Sequence, residues 1–204
     1  MSYLEAQLRA LRPAFTRQAT FAWFVVAFAG VVTRHDVYGV SSIIRALSLA
    51  PVFYPALLHF FHSSAWTAES LYRQWERWLM TQPVVERVAE RLVILGDHTK
   101  QPKDGRRMPQ VTTLHQDSET SSKPSFFRGH HWGCLSLLGQ AAGKRFALPL
   151  WAEIHPENSP DSRATRLVHV AIGMGLRLQA CIVLVLDAFF AVGPVFLAAA
   201  ASNG

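Results

Sequence analysis

The chain has 204 residues, half of them hydrophobic and 17% charged, enough for one domain with a small companion and for a real core. Twenty Lys and Arg against 14 Asp and Glu give a formal net charge of +6, which favours polyanionic partners, nucleic acid or an anionic membrane surface, without deciding between them. Its two cysteines, Cys134 and Cys181, lie far apart in apolar surroundings; that excludes a zinc-type cysteine spacing and predicts buried free thiols in a reducing compartment.

The N-terminus, Met1-Ser2-Tyr3-Leu4-Glu5, has no basic region followed by an apolar core, so no signal peptide is expected. Residues 1 to about 85 read as helical. Phe21 to Val32 carries no charge but is too short to span a bilayer, which predicts a buried helix. Ser41 to Leu49 and Val52 to Phe61 are two further short helices, punctuated by Gly39 and Pro51. Thr67 is placed to cap a helix running to Met80, with Glu69 in its first turn. On that helix Leu71, Trp75, Trp78 and Leu79 make one apolar face, with Arg73, Glu76 and Arg77 off it. Trp66, Trp75 and Trp78 read as core residues. Short helices in series permit either a helix-turn-helix arrangement or a plain bundle.

From about residue 86 the pattern changes. Val93 to Gly96 reads as a buried strand that delivers Asp97 at its end. Residues 98–124 are polar and interrupted by Pro102, Gly105, Pro109 and Pro124, hence a long loop of the functional or disordered kind. Phe126 to Leu138 and Lys144 to Ile154 read as a hairpin turning near Gly139–Gly143. Ser159-Pro160-Asp161 resembles a helix start, with Ser as cap and Pro at the first position. Cys181 to Leu186 is a second apolar strand and delivers Asp187. Ile182 to Ala201 imitates a membrane segment, but Asp187 and Gly193-Pro194 favour strand, break and Ala-rich helix. In a mixed sheet the two acid-bearing strands can be neighbours. Paired carboxylates repel unless a cation bridges them, and an oxygen-only set suits Mg²⁺ or Mn²⁺.

The segment Gly96-Asp97-His98-Thr99-Lys100-Gln101-Pro102-Lys103-Asp104-Gly105-Arg106-Arg107-Met108-Pro109 continues through Leu114 to Thr120, Ser122-Lys123-Pro124 and Arg128-Gly129-His130-His131-Trp132-Gly133. These residues resemble the catalytic core of DDE transposases of bacterial insertion sequences, over about 45 residues. Val185-Leu186-Asp187-Ala188-Phe189-Phe190 resembles, more briefly, that family's second acidic strand. The resemblance implies an α/β (α+β) chain. Residues 1–85 would be a helical, DNA-binding region, and 86–204 a partial ribonuclease H-like mixed sheet with flanking helices.

The activity implied is DNA transposition by metal-dependent phosphodiester cleavage and strand transfer. Asp97 and Asp187 would be catalytic residues and ligands to Mg²⁺ or Mn²⁺. His98, Lys100, Lys103, Arg106, Arg107, Lys123, Arg128 and His130 would contact DNA. The partner would be double-stranded DNA at transposon ends, with a homodimer or association with full-length transposase, in the bacterial cytoplasm at the nucleoid and away from membrane. The family's third acid, a Glu on a later helix, has no counterpart here: Glu153 and Glu157 precede Asp187, and residues 188–204 contain no acid. The expectation is therefore a truncated or inactive fragment, or else a non-catalytic DNA-binding protein that inhibits the full-length enzyme. A zinc site from His98, His130, His131 and Cys134, a small membrane protein, and an unstable decayed product are rival readings; the histidine spacing fits no standard zinc pattern.

Overall fold

Residues 2–36, 39–103, 105, 108–116, 125–156 and 159–201 are described by the structure, a computed structural model. The chain divides into two units, Met1–Gln82 and Pro83–Gly204.

In the first unit, Ser2 caps α1 (Tyr3–Leu11), its side chain accepting from the Glu5 N–H at 3.2 Å. Then come α2 (Gln18–Thr33), α3 (Val40–Ala46) and α4 (Tyr54–His62), the last entered through a 3₁₀ turn begun by Pro51. Thr67 caps α5 (Ala68–Met80) in a reciprocal pair with Ser70, so the predicted boundaries of that helix hold. Phe15, Ile43, Ile44, Leu57 and Phe60 form the core, with Trp66 stacked on Phe60 at 5.2 Å. Two expectations change. The Phe21–Val32 stretch is mostly half-buried, because α2 turns a narrow line of Thr20, Ala27 and Gly30 inward and leaves Val31 and Val32 exposed. Glu76 lies one turn before Leu79 on the buried side of α5 and is only 4% exposed, although the apolar periodicity placed it outward.

The second unit is a mixed sheet with helices. Its strands are β1 (Arg87–Val88), β2 (Arg91–Pro102), β3 (Thr112–His115), β4 (Phe126–Ala141), β5 (Lys144–Ile154) and β6 (Ile182–Val185); its helices are α6 (Arg163–Leu178) and α7 (Gly193–Ala201). β4 pairs antiparallel with β2 and with β5, while β6 pairs parallel with β2. The spatial order is therefore β5-β4-β2-β6, with β3 on the first residues of β4 and β1 folded back on the start of β2. β5 and β6 run the same way, so the chain needs a crossover between them, and α6 supplies it. α6 buries Ala164, Leu167, Val168, Ala171, Met174 and Gly175, an i, i+3, i+4, i+7 stripe. Ala142 and Gly143 both take left-handed φ values, 48° and 74°, at the tight β4–β5 turn.

The polar segment after Gly96 is not a loop throughout. β2 continues to Pro102 because β4 offers partners as far as Gly129, and β3 forms at 112–115. Helix α6 starts at Arg163 with Ser162 as cap, its side chain accepting from Thr165 N–H at 3.1 Å, rather than at Ser159. Cys181 is exposed, since it stands just ahead of β6 rather than within it, and Cys134 is half-buried. Among the described residues, no helix is long and apolar enough to cross a membrane.

Candidate metal and nucleic-acid site

Along the parallel β2–β6 pair, Leu92, Val93, Ile94 and Leu95 stand opposite Ile182, Val183, Leu184 and Val185. Asp97 and Asp187 each follow the last of these pairs by two residues, and Asp187 keeps an extended backbone, φ −76° and ψ 176°. Equal offset on neighbouring parallel strands carries both acids to one level of the sheet. The approach is tight: a Cβ at Gly96 would stand 2.5 Å from Leu186 Cδ2, so glycine lets the residue before Asp187 close on the residue before Asp97.

Asp97 lies mid-strand, opposite Cys134 of β4, and not at a strand end as its sequence context suggested. Both acids are exposed. Asp97 Oδ1 accepts from the His98 N–H at 2.7 Å, and Asp187 Oδ1 accepts from the Phe189 N–H at 3.0 Å. A carboxylate has two oxygens and several lone pairs, so one backbone bond apiece leaves coordinating capacity. Burial, then the Asp97 charge, push the Cys134 thiol up and keep it protonated. Among the described residues, no group of three or more His, Cys, Asp and Glu is placed to hold one ion.

Of the cations expected to meet DNA, Arg106, Arg107 and Lys123 lie outside the described residues. Lys100 is half-buried and donates through Nζ to the His115 carbonyl at 2.9 Å. Lys103 is half-buried and Arg128 exposed; they are joined through the backbone, Lys103 N–H to Arg128 O at 2.9 Å. His130 is 6% exposed, with Nε2 3.0 Å from the Pro109 carbonyl, so its ring holds the 109–110 turn against β4.

His98 alternates with Asp97 along β2 and takes the opposite face, the one that α6 covers. Its ring lies 4.8 Å from His131 and 4.8 Å from Phe190. His155 joins this group because its N–H donates to the His131 carbonyl at 2.8 Å. Arg163 begins α6 beside them, and Arg166 pairs with Glu153 at 2.5 Å. Burial is the first cause holding all three imidazoles below their usual range, and the Arg163 charge acts in the same direction on each. His131 is pushed down to about 4.

The sequence brought Asp97 and Asp187 into view but not the grouping of His131, His155 and Arg163. His131 carried a weak signal as the neighbour of His130. His155 and Arg163 carried none, because a β-bulge sets His155 against His131 and the start of α6 brings Arg163 to them.

No protein-family model matches the chain, and neither a curated protein nor a solved structure matches it.

Proposed function

We propose that the Pro83–Gly204 unit is a ribonuclease H-like core of DDE transposase type, acting on double-stranded DNA, and that Asp97 and Asp187 are two of its metal-holding carboxylates. The observation that carries this reading is the β2–β6 register, whose last pair, Leu95 and Val185, stands two residues before each exposed acid, Asp97 within β2 and Asp187 just past the end of β6. Their chemistry fits a hard divalent ion: all-oxygen donors, each carboxylate committed among the described residues to a single backbone N–H. A bound Mg²⁺ or Mn²⁺ would activate the attacking oxygen and stabilise the leaving one during in-line displacement at phosphorus. Asp97, fixed within β2, and Asp187, fixed by its backbone bond at the end of β6, would orient that chemistry. Lys103 and Arg128 would hold the DNA backbone beside it, as would Arg106, Arg107 and Lys123, whereas Lys100 shares the His98 face of β2 and would not. Among the described residues no third carboxylate joins these two, so the third of the family's set would be contributed by a second copy of the chain. Such a protein works on chromosomal DNA, in the bacterial cytoplasm.

The test is nicking of a labelled duplex, drawn from DNA flanking the gene, in Mg²⁺. The expected result is nicking that Asp97→Ala and Asp187→Ala each reduce by about two orders of magnitude or more. Nicking undiminished in Asp97→Ala would overturn the site. Salt-sensitive duplex binding without nicking, together with suppression of a full-length transposase in a mixed assay, would favour the non-catalytic inhibitor instead.

A further inference from the structure

The face of the sheet opposite Asp97 carries a second feature that the DNA-cutting reading does not use. Gln110, Thr112, His131, His155 and Arg163 bound a cavity of about 150 Å³. A water's share of liquid volume is about 30 Å³, so the space admits a group of several heavy atoms.

Every side chain in this lining can donate a hydrogen bond, and none is a carboxylate. Arg163 supplies a permanent positive charge, and among the described residues no carboxylate is paired with it. It is also the first residue of a sixteen-residue helix, whose N-terminus adds positive potential. His131 is decisive. Its side chain is 4% exposed, yet neither Nδ1 nor Nε2 has a hydrogen-bond partner among the described residues. A buried imidazole with both nitrogens unpartnered is uncommon, because the loss of solvation goes uncompensated. The charges nearest it are cationic: Arg163 and Lys100 both discourage a proton on it, as His98 and His155 do whenever they are protonated. A metal cation would meet the same repulsion, whereas an anion would relieve it.

We propose that this cavity binds a phosphate-class oxyanion, with Arg163 as counter-charge and His131, His155, Thr112 and Gln110 as hydrogen-bond donors. The group is either a free phosphate or a phosphate of a nucleic-acid strand. The site stands independently of Asp97 and Asp187 and needs no divalent ion.

The test uses the full chain, labelled at histidine, without divalent ions. Inorganic phosphate is titrated while the imidazole NMR signals of His131 and His155 are followed. A second titration uses one short oligonucleotide, with and without a 5′-phosphate. The expected result is a saturable shift of both signals, His131 moving towards its protonated position. Arg163→Gln weakens binding by about tenfold or more, and Asp97→Ala leaves it intact. Saturation by inorganic phosphate alone assigns a free anion; a response to the oligonucleotide that inorganic phosphate displaces assigns a strand phosphate. The proposal is overturned if neither probe shifts His131 at concentrations on the order of 10 mM, or if a folded Arg163→Gln chain binds as tightly as the parent. Should Arg163→Gln fail to fold, the wild-type titrations alone decide.

Discussion

His131 couples the pH of the solution to the stability of the second unit. Its ring is held down to about 4, first by burial and then by Arg163, His98, Lys100 and His155. The unfolded chain protonates the same imidazole near its ordinary value of 6.5. Stability is therefore full above the unfolded value and is lost as pH falls towards the folded one, because the unfolded state takes up the proton first. His98 and His155 are shifted in the same direction and add to the loss. Urea unfolding should show His131 alone costing about 2 kcal/mol between roughly pH 7 and pH 5. His131→Gln should flatten that part of the profile, and an unchanged slope would contradict the assignment. Gly129 gives a second test at this scale. A Cβ there would stand 2.4 Å from the Gln101 carbonyl oxygen, a backbone atom of the paired strand that cannot swing away. Gly129→Ala should therefore cost about 2 kcal/mol or more in denaturant unfolding, by prising β4 from the far end of β2.

At the scale of elements, the legible parts were those written in local chemistry. Thr67 with Ser70 fixed the start of α5, and the Ala142-Gly143 turn sits inside the stretch where the hairpin was expected. The apolar runs before Asp97 and Asp187 have the pattern of strands, and they pair with each other. What could not be read depends on partners distant in sequence. Residues 98–102 look like a loop because Lys, Gln and Pro crowd them; β4 nevertheless extends β2 through them. The bulge in the β4–β5 pair is the clearest case. Ser136 faces Pro149 but Leu135 faces Trp151, so the ladder slips by one residue. A strict hairpin would set His155 across from His130. The slip sets it across from His131 instead, and the phosphate cavity depends on that shift. Proline lacks an N–H to give the ladder, which suits Pro149 to the irregular position. Pro149→Val, tested by NMR of the His131 and His155 rings, should leave the sheet formed. A register restored to strict pairing would move His155 off His131, and phosphate binding would be lost with it.

For the whole molecule, the proposed binding of DNA and its cutting are separable. The net charge of +6 would act on a phosphate backbone without reading sequence, with or without the proposed ion at Asp97 and Asp187. Duplex affinity should therefore fall steeply with salt, log K declining by about 0.9 per log unit of salt for each phosphate neutralised. Replacing Lys103 and Arg128 together with Gln should lower that slope by about two and weaken binding to unrelated sequences alike. Asp97→Asn has the opposite sign. It removes a negative charge from an exposed position that the proposed function sets against DNA, so binding without divalent ions should hold or tighten while Mg²⁺-dependent nicking disappears. Fluorescence anisotropy on two labelled duplexes of unrelated sequence, across a salt series with and without Mg²⁺, reads binding by all three chains, and a denaturing gel of the same duplexes reads nicking. If Asp97→Asn weakens binding in the absence of metal, Asp97 is holding the sheet or the DNA rather than an ion, and the metal assignment falls.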